Sequence, residues 1–220
     1  MNAAFVLVHS PLVGPFTWSR VAGELRGRGE QVVVPVLSDD DRGEPVPYWR
    51  QHADCVARAL APTAPARPLV LVGHSGAGPE LPAIADVLSR LVTAYLFVDA
   101  GLPSAGPRLG GQRRRRRPGE RWPRWTEADL SDVLSDPGDR RRVLDELTPR
   151  PQRFWDEKLP VFEGWPDAAC GYLLFSSPYE TSARAAERRG WPVRHLPGGH
   201  FHMLVEPEAV ATALLELAAA

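Results

Sequence analysis

The stretch "LVLVGHSGAG", Leu69 to Gly78, constrains the chain more than any other. An aliphatic run of buried type ends in Gly73-His74-Ser75-Gly76-Ala77-Gly78, and a segment with helical periodicity follows. A strand that feeds a helix through so tight a turn needs glycine where side chains would collide, and Gly73 and Gly78 stand at those places. In this strand–turn–helix context the pattern G-x-S-x-G predicts Ser75 at the tip of the turn, strained in its backbone, with its hydroxyl presented above a sheet.

The rest of the chain supplies such a sheet. Apolar, β-branched runs bounded by turn residues recur at Ala4–Val8, Gln31–Leu37, Pro68–Val72, Val92–Val98, Gly171–Phe175 and Pro192–Leu196. Several are continuous rather than alternating, as in strands covered on both faces. Between them lie helix-period segments at Thr17–Arg28, Pro47–Leu60, Gly76–Ser89, Glu180–Arg189 and Pro207–Leu217. Alternating strand and helix predict an α/β fold with a mostly parallel sheet, helices on both faces and right-handed crossovers. At 220 residues the expectation is a single domain over residues 1–220.

The alternation breaks once, between Leu102 and Ala169. This stretch carries Trp122, Trp125, Trp155 and Trp165, many prolines, the run Arg113–Arg117, and short helix-like pieces at Thr126–Leu134 and Asp139–Leu147. A long excursion without a core strand reads as a helical lid inserted into the domain at about 102–169, and its aromatic content as cover for something apolar. The arginine run, set beside Gly and Pro, reads as a solvated loop rather than a phosphate site.

Composition narrows the partners. A formal net charge of -1 gives no reason to expect nucleic acid or an anionic membrane. No apolar stretch has the length a bilayer demands, and the N-terminus has no signal-peptide pattern, so a cytoplasmic location is expected. Cys55 and Cys170 form no disulfide framework and have no metal-ligand spacing; no metal or cofactor is expected. The expected partner is a small-molecule substrate, with a homodimer as the one assembly considered.

A serine hydroxyl attacks only when a base takes its proton. In "LPGGHFHMLVEPEAV", His200 follows a strand and two glycines and precedes the last helix, on the same sheet edge as Ser75. His202 is its competitor, and His195, inside a strand, reads as structural. Two acids qualify to orient the imidazole. Asp99, a well-fixed carboxylate at the end of the strand "AYLFVD", is the favoured one; the alternative, Glu180, follows the next strand in "SSPYETSA", where it equally reads as the first-turn acid of a helix. Asp167, in "GWPDAAC", is a third choice. Asp99 and Glu180 both preserve the chain order serine, acid, histidine.

Three segments, "VLVHSPLVGPFTWSRVAGELRGRGEQVVVPVL", "LVLVGHSGAG" and "GGHFHMLVEPEAVATALLEL", together resemble the α/β-hydrolase superfamily. The resemblance is to its compact branch of plant methyl-ester esterases and hydroxynitrile lyases. It implies an α/β-hydrolase fold with a six-stranded sheet, Ser75 as nucleophile, His200 as base and the Gly76 N–H as one oxyanion donor. The usual aspartate after the penultimate strand is missing from "SSPYE". Relatives such as haloalkane dehalogenases take their acid from the strand before, the place of Asp99. The usual His-Gly-X turn reads His9-Ser10-Pro11 here, and proline has no N–H to donate. Ser10 offers a hydroxyl in its place. Where hydroxynitrile lyases carry a lysine after the histidine, this chain has Phe201.

The expected activity is hydrolysis of an ester or thioester of a small, apolar substrate by a serine nucleophile. The altered oxyanion turn and the aromatic lid motivate the alternative, non-hydrolytic acyl transfer, cyclisation or lyase chemistry on the same Ser–His pair. A ligand-binding protein without catalysis is the third reading.

Overall fold

Apolar runs that alternate inward on both faces can be buried only between two helical layers, and they are. In the computed structural model, which describes residues 3–40, 46–104, 106 and 119–220, six strands form one parallel sheet. They are β1 (Ala4–Val8), β2 (Gln31–Val33), β3 (Leu69–His74), β4 (Val92–Val98), β7 (Ala169–Leu174) and β8 (Val193–His195), in the order β2-β1-β3-β4-β7-β8. Between β4 and β7 the two-residue strands β5 (Arg121–Trp122) and β6 (Arg150–Pro151) pair antiparallel, apart from the main sheet.

Alternate residues of one strand serve different cores. Phe5, Leu7, Val70, Val72, Leu96 and Val98 face α1 (Ser19–Gly27) and the C-terminal α9 (Pro207–Ala219), against Val21, Leu25, Val210 and Leu214. Val6, Val8, Leu69, Leu71, Tyr95 and Phe97 face α2 (Tyr48–Leu60), α3 (Leu81–Leu88) and α7 (Glu180–Arg188), against Val56, Leu60, Leu81, Ile84 and Ala186. Each such side chain contributes about 1.5–3 kcal/mol by leaving water. That double burial explains why the strands read as continuous apolar runs.

The strands Ala4–Val8 and Val92–Val98 have the expected bounds, whereas some other elements are shorter than the sequence patterns suggest, for local reasons. β2 ends at Val33 rather than Leu37, since Pro35 has no N–H for a ladder and β2 is an edge strand. The segment after Ser75 begins as a 3-10 helix, Ser75–Glu80, and becomes α3 only at Leu81, with Pro79 inside the first piece. Likewise Pro15–Trp18 forms a 3-10 turn before α1, and α8 (His202–Val205) stands apart from α9 at Pro207.

Residues 102–168 add no strand to the main sheet among those described, and Ala169 already opens β7. Their helices are short: α4 (Glu127–Leu130), closed by a Thr126–Asp129 capping box, α5 (Pro137–Asp145) and α6 (Gln152–Asp156). Arg113–Arg117 lie outside the described residues. Among the described residues no helix is long and apolar enough to cross a membrane.

All six strands point their carboxyl ends the same way, so Ser10, Ser75, Asp99, Ser176 and His200 follow strands on one edge. Glycine is required where that edge is tightest. A Cβ on Gly78 would lie 2.7 Å from the Gly101 carbonyl oxygen and 2.8 Å from Ala100 Cβ, whereas one on Gly23, exposed in α1, would meet nothing within 4 Å. Gly78→Ala is therefore expected to destabilise the fold by about 1–3 kcal/mol. Gly23→Ala should gain about 0.5–1 kcal/mol from helix propensity. Urea unfolding midpoints that move in opposite directions would bear this out.

Candidate active site

Ser75 has φ 55°, the left-handed region that a side-chain-bearing residue enters only at a cost. The turn closes on itself: a Cβ on Gly73 would lie 3.0 Å from both N and Cα of Gly78. Ser75 Oγ is 3.2 Å from the hydroxyl of Tyr179, and the described residues place no hydrogen bond between Oγ and His200. The turn after β1 packs against this elbow, since a Cβ on Gly76 would meet Ser10 Oγ at 3.4 Å and Pro11 Cδ at 3.5 Å.

Asp99 is the second strained residue on this edge, with φ 42° and no exposure. Its Oδ1 accepts from the backbone N–H groups of Phe175 and Ser176, both at 2.9 Å. Its Oδ2 accepts from Ser176 Oγ at 2.6 Å and from His200 Nδ1 at 2.7 Å. Burial pushes this carboxyl upward, but the bonds from His200 and Ser176 outweigh it and hold the group below the ordinary carboxylate value. With Nδ1 donating to Asp99, Nε2 is the ring nitrogen left for a second partner.

Aromatic rings hold His200. Tyr179 stacks on it with centroids 5.0 Å apart and planes 4° apart, and the His74 ring lies 4.5 Å away. His74 Nε2–H also donates to the His200 carbonyl at 3.0 Å. Burial first, and then the neighbouring His200, keep His74 neutral. The residue between Gly73 and Ser75 thus anchors the loop that carries His200.

The other candidates are placed elsewhere. Glu180 is exposed and pairs with Arg184 at 2.9 Å, one helical turn on. Asp167 accepts from the Tyr95 hydroxyl at 2.8 Å. His202 faces Glu206 at 3.6 Å and packs on Phe175; His195 is exposed at the end of β8. Ser10 is buried, and its Oγ accepts a long bond of 3.4 Å from Leu12 N. Tyr179, His74, Ser176 and Arg150 were not singled out by the sequence patterns. The one signal for Tyr179 was that "SSPYE" lacks the expected aspartate.

The turn after β1 is tied to the 102–169 segment by buried charge. Arg150 donates through Nε, at 2.9 Å, and through Nη2 to the carbonyl of Pro11, and its Nη1 pairs with Asp39. Asp39 also meets His52 Nε2 at 3.1 Å, and His52 Nδ1 meets Glu80 at 2.9 Å. Burial raises Asp39, but His52 and Arg150 outweigh it and hold it low. Over Ser75 opens a cavity of about 300 Å³, walled by Pro11, Leu12, Trp122, Phe154, Trp155 and Tyr179 among others, with no charged side chain among the described residues that line it. Trp125 and Trp165 lie elsewhere, against Phe201 and against Tyr95. Among the described residues no group of three or more His, Cys, Asp or Glu is arranged to hold a metal ion.

This arrangement on the carboxyl edge of a parallel sheet defines a class, and comparison agrees: residues 5–213 match the model of the alpha/beta hydrolase family, to which the chain belongs. Among curated relatives, the rice (Oryza sativa subsp. japonica) esterase PIR7B is 32% identical over 114 residues, 48% of this chain and 41% of the rice protein. The match thus spans about two fifths of that relative. Among solved structures, a pyrethroid hydrolase from Sphingobium faniae JZ-2 superposes with a TM-score of 0.78 at 19% identity, covering 99% of this chain and 98% of that one. Tomato methylketone synthase I, complexed with 2-tridecanone, gives 0.76 at 14% identity, covering 100% and 98%.

His9 sets a pH dependence of stability. Its Nδ1–H donates to the Ser10 carbonyl at 2.9 Å and its Nε2 accepts from Leu37 N at 3.1 Å, which requires a neutral ring. Burial pushes its pKa down to about 4. The unfolded chain, titrating near 6.5, then binds the extra proton between those values, so stability is full above that range and falls as pH drops toward 4, by up to about 3 kcal/mol. His74 acts in the same direction. Urea unfolding at pH 7.5 and 4.5 should show this loss in the wild type and a smaller loss in His9→Gln.

Proposed function

We propose that the protein is a serine-nucleophile hydrolase of small, neutral, apolar esters or thioesters, with residues 102–169 serving as its lid. The observation that carries this reading is a strained Ser75 beside the buried Asp99–His200 pair, at the floor of an aromatic cavity with no charged side chain among the described residues that line it. The similarity to a rice esterase supports ester chemistry.

In the first half-reaction Ser75 Oγ forms a bond to the acyl carbon as its proton passes to His200 Nε2, and the carbonyl π pair moves onto oxygen. The Gly76 N–H, at the start of the helical segment behind Ser75, donates to that oxyanion. As the carbonyl re-forms, the bond to the leaving alkoxide or thiolate breaks, and His200 returns the proton to it. Water then repeats the sequence on the acyl-enzyme. Asp99 holds the ring through Nδ1 and stabilises the imidazolium. Contacts between nucleophile and base tighten as substrate binds, which accommodates a resting Ser75 turned to Tyr179. The cavity is at the small end of the usual range for ligand sites, and its described walls offer a charged substrate group no counter-charge.

A fluorophosphonate should label Ser75, and Ser75→Ala should abolish both labelling and hydrolysis of p-nitrophenyl butyrate. Asp99→Asn should lower kcat by about 10³- to 10⁴-fold, while Glu180→Gln leaves it unchanged. Neutral esters should be preferred over carboxylate-bearing ones of equal length. An unlabelled Ser75, or turnover surviving in Ser75→Ala, overturns the reading.

A further inference from the structure

We propose that Tyr179 is a catalytic residue of this site, its phenol donating to the developing oxyanion the hydrogen bond that the backbone at position 11 cannot give. The inference rests on the serine-hydrolase reading above and adds a residue to it.

The turn after β1 is short of donors. Pro11 has no N–H, and its carbonyl is held by Arg150, which fixes the turn with an acceptor engaged rather than a donor freed. The N–H of Leu12 points to Ser10 Oγ at 3.4 Å, and that of Val13 to the Ser10 carbonyl at 3.1 Å. Ser10 itself is 2% exposed and does not line the cavity. Its hydroxyl is covered by the turn that was expected to present it.

Tyr179 has what Ser10 lacks. It lines the cavity, and its hydroxyl is already 3.2 Å from Ser75 Oγ. The oxyanion forms two bonds from Oγ, within the swing of a donor that touches Oγ. The phenol is placed by the short 3-10 turn Ser177–Tyr179 and by its stack on His200, so little freedom is lost when it donates. Burial raises its pKa above the ordinary tyrosine value, so the hydroxyl keeps its proton across the working range. No proton leaves Tyr179 in this step: the serine proton goes to His200, and the phenol only hydrogen-bonds the new negative charge. The same ring face meets the imidazole as it becomes a cation, a favourable cation–π contact.

The test uses the full chain with p-nitrophenyl butyrate as substrate and phenylboronic acid as the analogue that forms a tetrahedral adduct on Ser75. Tyr179→Phe keeps the ring and its stack and removes only the O–H. It is expected to lower kcat by about 10²-fold with KM within about threefold of wild type, and to weaken phenylboronic acid by a similar factor. Ser10→Ala should stay within about threefold of wild type on all three measures. A Tyr179→Phe enzyme with kcat within about threefold of wild type, a loss confined to KM, or the full loss appearing in Ser10→Ala overturns the proposal. Fluorophosphonate labelling separates the two readings: an unlabelled wild type removes both, and a labelled wild type with a fully active Tyr179→Phe removes only the role of Tyr179.

Discussion

The site depends on a charge kept out of water. Asp99 is wholly buried, and a carboxylate in that position survives only when its lone pairs are occupied. Four donors occupy them, from Phe175, Ser176 and His200. These donors belong to the end of β7 and to the loop before α8, so neutralising one side chain locks three chain segments on one sheet edge. The strand end that would carry the acid in the wider family here supplies N–H and O–H groups to an acid on the neighbouring strand. The physical task is the same, and the atoms that perform it have changed sides.

A second buried network ties the segment between β4 and β7 to the elbow. Arg150 reaches from β6 to the carbonyl of Pro11 and to Asp39, and from Asp39 contacts run through His52 to Glu80, at the far end of the 3-10 helix that Ser75 opens. Removing one member of such a set leaves an uncompensated buried charge, commonly a loss of about 3–5 kcal/mol. The wall of the cavity and the turn beside Ser75 are thereby set by one chain of contacts. Trp122, Phe154 and Trp155 take their places in that wall on a rigid support.

Much of this is legible in the amino-acid sequence. The parallel sheet followed from continuous apolar runs, because a strand buried on both faces has no reason to alternate. Ser75 followed from the glycines around it, and His200 from its position before the last helix. The element ends were less legible: Pro35 and Pro79 shorten a strand and delay a helix through missing N–H groups, which hydrophobic periodicity does not register. Ser10 was expected to offer its hydroxyl to the site, yet it is turned against Gly76 and toward Leu12 N. Only packing decides which way so small a side chain points.

The sequence by itself determined the layered sheet, the strained serine and the histidine on the same edge, because these depend on local pattern and on chain order. Tertiary structure settled the choice between Asp99, the acid the sequence favoured, and Glu180 as the partner of the His200 ring, and it alone placed Tyr179 over Ser75. The reason is geometric. Both acids follow strands on the correct edge, and their distances to His200 depend on neighbour order and on whether the next turn buries or exposes the side chain. Glu180 opens a helix and reaches solvent, while Asp99 is enclosed by β7 and finds the only compensation a buried charge accepts.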